Sequence, residues 1–288
     1  MTFAKHPNFI DGFKTWIAIG FSSWMLLGIT ACGGGGGGGD PVAPNTSETP
    51  ASTLISAGFY QNTGKDWVVA LLPNESTSAN VFSFYALNYK DAGTDIYSGS
   101  GQMTGIASAS LSSIKLQPHM AAVRTGTGTL SSASNGGIAA ILNFPISGPS
   151  NVLQINQTLT PPSGYSFDAT ANLSDVQGNW LGSLSYGSGS VPFSINVSAQ
   201  GAVSSYMVFA GDCQIALSNL TADFPSKNLF KFTARISDGT LCLSNSLATL
   251  NLTGVGVVTP STEPNKTRRL HLVGVTTDGR GVSFKADR

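Results

Sequence analysis

The 288-residue chain carries 15 basic and 15 acidic side chains, so its formal net charge is zero and only 10% of its residues are charged. A near-zero net charge argues against a nucleic-acid partner, which would need a basic surface to neutralise phosphates. Abundant Gly, Ser and Thr fit globular β structure better than helix.

In chain order, the first element is an uncharged run over residues 16–29, flanked on its amino side by Lys5 and Lys14. Basic residues before a short apolar run have the form of a secretory signal. A bilayer span takes about 20 apolar residues, and this run is shorter. Asp11 and the Ser22-Ser23 pair depart from the ideal pattern without removing it. The run ends in Ile29-Thr30-Ala31-Cys32, followed by the glycines Gly33 to Gly39.

Those four residues resemble the lipobox of bacterial lipoproteins, which has an aliphatic residue three before the cysteine, then a small or hydroxylated one, then Gly, Ala or Ser. The resemblance implies cleavage between Ala31 and Cys32, a diacylglyceryl group on the Cys32 sulfur and acylation of the new amine. One acyl chain holds a protein only marginally to a membrane, whereas two or three anchor it durably. Gly33 stands where lipoproteins retained in the inner membrane carry Asp. That implies an outer-membrane destination, on either the surface or the periplasmic face.

Residues 1–31 are thus expected to be the signal peptide and residues 32–53 a tether. The Gly-rich and Ser/Thr/Pro-rich composition of 32–53 offers almost nothing apolar to bury. As a flexible coil its roughly 20 residues would span about 25 Å. Phosphate binding by the glycines is a poor rival, because no strand precedes them and no Lys-Ser/Thr follows.

Beyond residue 53 no amphipathic helical pattern persists, and period-two alternation recurs. The expected strands of a first β domain, residues 54–165, lie near 55–61, 67–72, 81–88, 96–104, 109–116, 121–130, 137–144 and 152–160. Pro161-Pro162 then breaks the pattern. A second β domain, residues 166–288, is expected to hold strands near 180–186, 191–198, 202–209, 213–220, 229–237, 247–258, 269–276 and 282–285. Val191, Phe193, Ile195 and Val197 alternate with small polar residues, as half-buried antiparallel strands do. Asp238-Gly239 and Asp278-Gly279 are signals for tight hairpins. The expected fold is therefore all-β, with two small antiparallel meanders of barrel or sandwich form. One continuous sheet or solenoid is the alternative. The openings Gly58-Phe59-Tyr60 and Gly178-Asn179-Trp180 rhyme weakly, which raises an internal duplication.

If Cys32 is lipidated, Cys213 and Cys242 remain as an even pair. In an oxidising compartment they are expected to form a disulfide, which would stabilise the fold by roughly 3.5 kcal/mol in the chain-entropy model. Two buried thiols are the alternative. A metal site would lack its third and fourth ligands.

Gly178-Asn179-Trp180-Leu181-Gly182, Gly211-Asp212-Cys213, Gly239-Thr240-Leu241-Cys242 and Gly281-Val282-Ser283-Phe284 resemble a recurrent β module of Gram-negative lipoproteins. The lipid cysteine, Gly-rich tether and paired β units are also similar to surface lipoproteins of the transferrin-binding and factor H-binding type. That resemblance implies protein binding through exposed barrel faces and loops. None of those families' specific binding residues is found here, so it bears on architecture and class.

Signals for chemistry are sparse. No Gly-x-Ser-x-Gly or His-Glu-x-x-His motif is present, and past the signal only His119 and His271 remain. Asp91 with Asp95, or Asp212 with Asp223, could face each other as glycosidase carboxylates require, but each sits beside turn residues where Asp makes local hydrogen bonds. No cofactor, metal or enzymatic activity is expected. Tyr85 and Tyr89 fall on the opposite parity to Phe82 and Phe84, so they face outward as part of a binding patch or pack at a domain junction. Arg268 and Arg269, with Lys266, Arg280, Lys285 and Arg288, form a basic group. It would contact anionic lipid or an acidic protein, or else guard a sheet edge. The leading expectation is a lipid-anchored outer-membrane binding module with an unknown protein ligand. A periplasm-facing structural or assembly component is the alternative, and an envelope hydrolase is more remote.

Overall fold

A computed structural model describes residues 54–73, 80–90, 93–118, 122–146, 152–186, 189–207, 214–224, 226–237 and 250–288. The lipobox with Cys32, the tether, Cys213, Cys242, His119, Asp91, Asp212 and the Asp238-Gly239 turn lie outside them.

Alternation in the sequence becomes two eight-stranded antiparallel sheets, the first curled into a half-barrel and the second into a nearly closed barrel. The first runs in chain order through β1 (Gly58–Gln61), β2 (Trp67–Pro73), β3 (Val81–Lys90), β4 (Gly93–Gly105), β5 (Ser108–Gln117), β6 (Arg124–Ser132), β7 (Ile138–Pro145) and β8 (Val152–Leu159). Phe82, Phe84 and Ala86 of β3 point to its interior, where they meet Trp67, Tyr97, Leu130 and Phe144. Between its first and last strands the pairing is limited to Gln61 with Thr160, just past β8.

The second sheet contains β9 (Gly178–Tyr186), β10 (Gly189–Val197), β11 (Val203–Met207), β12 (Gln214–Leu217), β13 (Phe230–Ser237), β14 (Leu250–Pro260), β15 (Arg268–Val275) and β16 (Gly281–Asp287). Its spatial order is β11-β10-β9-β16-β15-β14-β13-β12. This is again a meander, but its first and last strands pair, and the seam falls between its third and fourth. Gly182 permits that pairing, because a Cβ there would lie 1.9 Å from the Lys285 carbonyl oxygen across the β9–β16 ladder. The expected Asp278-Gly279 hairpin joins β15 to β16. Gly279 has φ of 88°, and the Thr276 and Arg280 backbones bond across the turn.

Each sheet begins with the same device. Tyr60 and Trp180, the third residues of the two rhyming openings, are both fully buried. The Tyr60 hydroxyl donates to the Ser56 carbonyl at 2.7 Å, and the Trp180 Nε1–H donates to the Val176 carbonyl at 2.6 Å, each four residues back. Buried aromatics with a polar atom need such a partner. The carbonyl of Val176 is presented by a single helical turn, α1 (Leu173–Val176), capped by the Asn172 side chain. Among the described residues no helix is long and apolar enough to cross a membrane.

The outer faces of the two sheets pack on each other within one compact unit. Phe59, Val68, Ala70, Leu72, Leu87 and Ile96 from the first meet Val255, Val257 and Val273 from the second, with Phe167, Phe224 and Leu229 alongside. Strand β2 is consequently buried on both faces, which accounts for its unbroken apolar run.

Candidate ligand-binding cleft

The expected binding residues fall at this junction or beside it. On β3 the parity that sends Phe82 and Phe84 inward directs Ser83, Tyr85, Leu87 and Tyr89 toward the second sheet. On β15 the same logic turns Leu270 and Leu272 inward and places Arg269, His271 and Val273 on the junction side. Of the two expectations for Tyr85 and Tyr89, packing at the junction is the one found, since both are partly buried against the junction cluster.

Tyr89 is held there from both sides. Its hydroxyl shares a 2.8 Å hydrogen bond with His271 Nδ1, and the Lys285 ammonium lies 4.5 Å from its ring centre. The other imidazole nitrogen stands 3.4 Å from the Thr259 hydroxyl. Burial, then the charges of Arg269 and Lys285, hold His271 neutral by lowering its pKa to about 3. Burial likewise lowers the pKa of Lys285. Two further polar contacts stitch the sheets: Thr94 donates to Ser185 at 3.0 Å, and the Gly281 N–H donates to the Gln117 side chain.

The two arginines do not form a basic patch. Arg269 is buried and grips Asp287 through two hydrogen bonds of 2.9 and 3.0 Å, with a third of 2.9 Å to Glu263. Arg268, on the opposite face of the strand, pairs with Asp175 at 2.8 Å. Edge protection is corrected as well, because β15 is an interior strand flanked by β14 and β16.

Tyr85 has a different setting. Where the outer faces diverge beyond Leu72 and Val255, they leave a cleft of about 520 Å³. Tyr85, Leu72 and Ser83 form one wall. Phe224, Lys231, Thr233, Thr253 and Asp223 form the other. The volume is in the range of small-ligand sites, as is the mixture of an apolar base with a few polar groups. The Tyr85 phenol is a hydrogen-bond donor at neutral pH, and burial raises its pKa further. Lys231 extends over the Phe224 ring at 4.3 Å, and Asp223 accepts a hydrogen bond from the Thr221 hydroxyl. The alternation of β13 places Lys231 and Thr233 outward, opposite the buried Phe230, Phe232 and Ala234. Thr253 falls on the outward parity of the expected strand over 247–258, whereas Phe224 lies outside every expected strand and had no periodic signal to mark it.

Of the candidate carboxylates, Asp95 is buried beside Tyr97 on the inner face of the first sheet, in an ion pair with Lys90, while Asp223 reaches the cleft. Among the described residues no three His, Cys, Asp or Glu side chains converge on a metal position. No family model matches the chain, and no match appears among curated proteins or solved structures.

Proposed function

We propose that this protein is a lipid-anchored lipoprotein of the outer membrane that acts as a binding module and holds a small amphipathic ligand in the cleft between its two sheets. The cleft carries this reading, because it combines the apolar surface of Leu72, Tyr85, Phe224 and Val255 with hydroxyl groups at Ser83, Thr233 and Thr253. Such a lining suits a ligand with one apolar face and several hydrogen-bonding groups. Anchoring rests on the match of Ile29, Thr30, Ala31 and Cys32 to the lipobox.

Two experiments test the two parts. Cells fed radiolabelled palmitate should label the wild-type chain in the membrane fraction and leave Cys32→Ala unlabelled and uncleaved. Equal labelling of the two would overturn the anchor. For the cleft, Ser83→Trp places an indole in the opening from a partly exposed position. When immobilised full-length chain is exposed to small-molecule envelope extract, the wild type should retain species that the variant loses by about tenfold or more, a difference of about 1.4 kcal/mol. Identical retention by both proteins would remove the cleft from the reading.

A further inference from the structure

The wall that the second sheet gives the cleft is laid out as a grid. Thr233 of β13 and Thr253 of β14 are register partners, and both are exposed. Directly opposed residues of an antiparallel pair have Cβ atoms about 5 Å apart, so the two hydroxyls stand side by side. Ser218, just past β12, continues the row, because its backbone N–H donates to the Thr233 carbonyl at 2.8 Å. Two residues along β13, Lys231 lies opposite Val255 of β14 and bonds through its backbone to Thr221. Asp223 is exposed, accepts the Thr221 hydroxyl and keeps further lone pairs for other donors.

The facing wall is different in kind. Ser83 and Tyr85 share one face of β3, in register with Leu72 and Ala70 of β2. Tyr85 is half-buried, and its ring brings an aromatic surface into the cleft.

One wall thus offers hydroxyls that donate and accept, a carboxylate that accepts and an ammonium that donates, while the other offers an aromatic ring on an apolar base. A sugar ring complements both. Its edge carries hydroxyls that reach neighbouring side chains, and its C–H face is a positive partner for the negative face of an aromatic ring. Hydrogen bonds from sugar hydroxyls to a carboxylate are charge-assisted and about twice as strong as neutral ones. Asp223 and Lys231 line the same wall, so an anionic ligand brings like charge toward the first and a cationic ligand toward the second.

We propose that the cleft takes a neutral saccharide, with its C–H face on Tyr85 and its hydroxyls bonded to Thr233, Thr253 and Asp223. This assignment rests on the cleft being a ligand site and adds the chemical class that it holds. A volume of about 520 Å³ admits a ligand of disaccharide size.

Saturation-transfer NMR and calorimetry on the full-length chain test this, with cellobiose, maltose and N,N′-diacetylchitobiose as neutral probes and hexanoate and hexyltrimethylammonium as charged ones. At least one disaccharide should bind with a Kd of about 1 mM or tighter, and neither charged probe should. Thr233→Val, which removes a hydroxyl at an exposed position, and Asp223→Asn should each weaken that disaccharide by about tenfold. Gln102→Ala, at an exposed position of the first sheet outside the cleft, should leave it unchanged. Thermal unfolding would verify that the variants remain folded. Failure of all three disaccharides to bind, or binding that both cleft variants leave unchanged, would overturn the saccharide. Binding of hexanoate or hexyltrimethylammonium alone, abolished by Ser83→Trp, would overturn it too while leaving the cleft as a ligand site. If no probe binds and Ser83→Trp retains the same species from envelope extract as the wild type, the saccharide and the cleft fall together.

Discussion

Acidification from pH 7 toward pH 4 is expected to destabilise the protein by several kcal/mol, with His271 making a measurable part of the loss. The imidazole lies between the two sheets against Tyr89 and Thr259, with Arg269 and Lys285 nearby. Its folded pKa of about 3 is below the ordinary 6.5. Below pH 6.5 the unfolded chain therefore binds a proton that the folded chain excludes. The stabilisation is complete above the unfolded value and is lost as the pH falls toward 3, at up to about 1.4 kcal/mol per pH unit. Denaturant midpoints measured from pH 7 to pH 4 should show this decline. His271→Asn keeps a hydrogen-bonding partner for Tyr89 but has no proton to gain, so its decline should be shallower by about 2 kcal/mol over that interval. Parallel curves for the two proteins would show that His271 does not govern the response.

Replacing Arg269 with alanine should cost about 3–5 kcal/mol, whereas the same change at Arg268 should cost less than about 1 kcal/mol. The residues are adjacent in sequence and alike in chemistry, but Arg269 has a side-chain exposure of 7% and its partner Asp287 one of 15%. Removing the guanidinium leaves the Asp287 carboxylate with Ser261 as its remaining side-chain donor in a poorly solvated position. Arg268 and Asp175 are 39% and 35% exposed, so water replaces much of what each loses. Glu263 is 57% exposed and contributes little to the difference. Urea unfolding of both variants would measure the two losses, and equal values would refute the assignment of Arg269 as a buried structural cation.

The contrast shows where sequence periodicity was informative. Alternation located the strands closely: 191–198 against Gly189–Val197 and 229–237 against Phe230–Ser237. It also placed Tyr85 and Tyr89 opposite Phe82 and Phe84. A period of two separates the faces of a strand without saying what covers each face. The second layer over β3 consequently stayed hidden, although the two-sided apolar run of β2 carried its trace. The same period argues against Arg268 and Arg269 as one patch, because consecutive strand residues point to opposite sides. The cleft was less legible still. It arises where two sheets diverge, and Tyr85 and Phe224 are brought together across a long interval of chain.

The ladder between β9 and β16 also bears on how the molecule is made. The half-barrel can assemble progressively, since each of its strands pairs with the one just synthesised. The second barrel has β9 waiting for β16, the last strand of its sheet in chain order. Loop closure over that interval is slow and leaves strand edges open in the meantime. Closure of the second barrel must therefore await β16, and until it pairs β9 and β15 are the surfaces that a chaperone would have to shield.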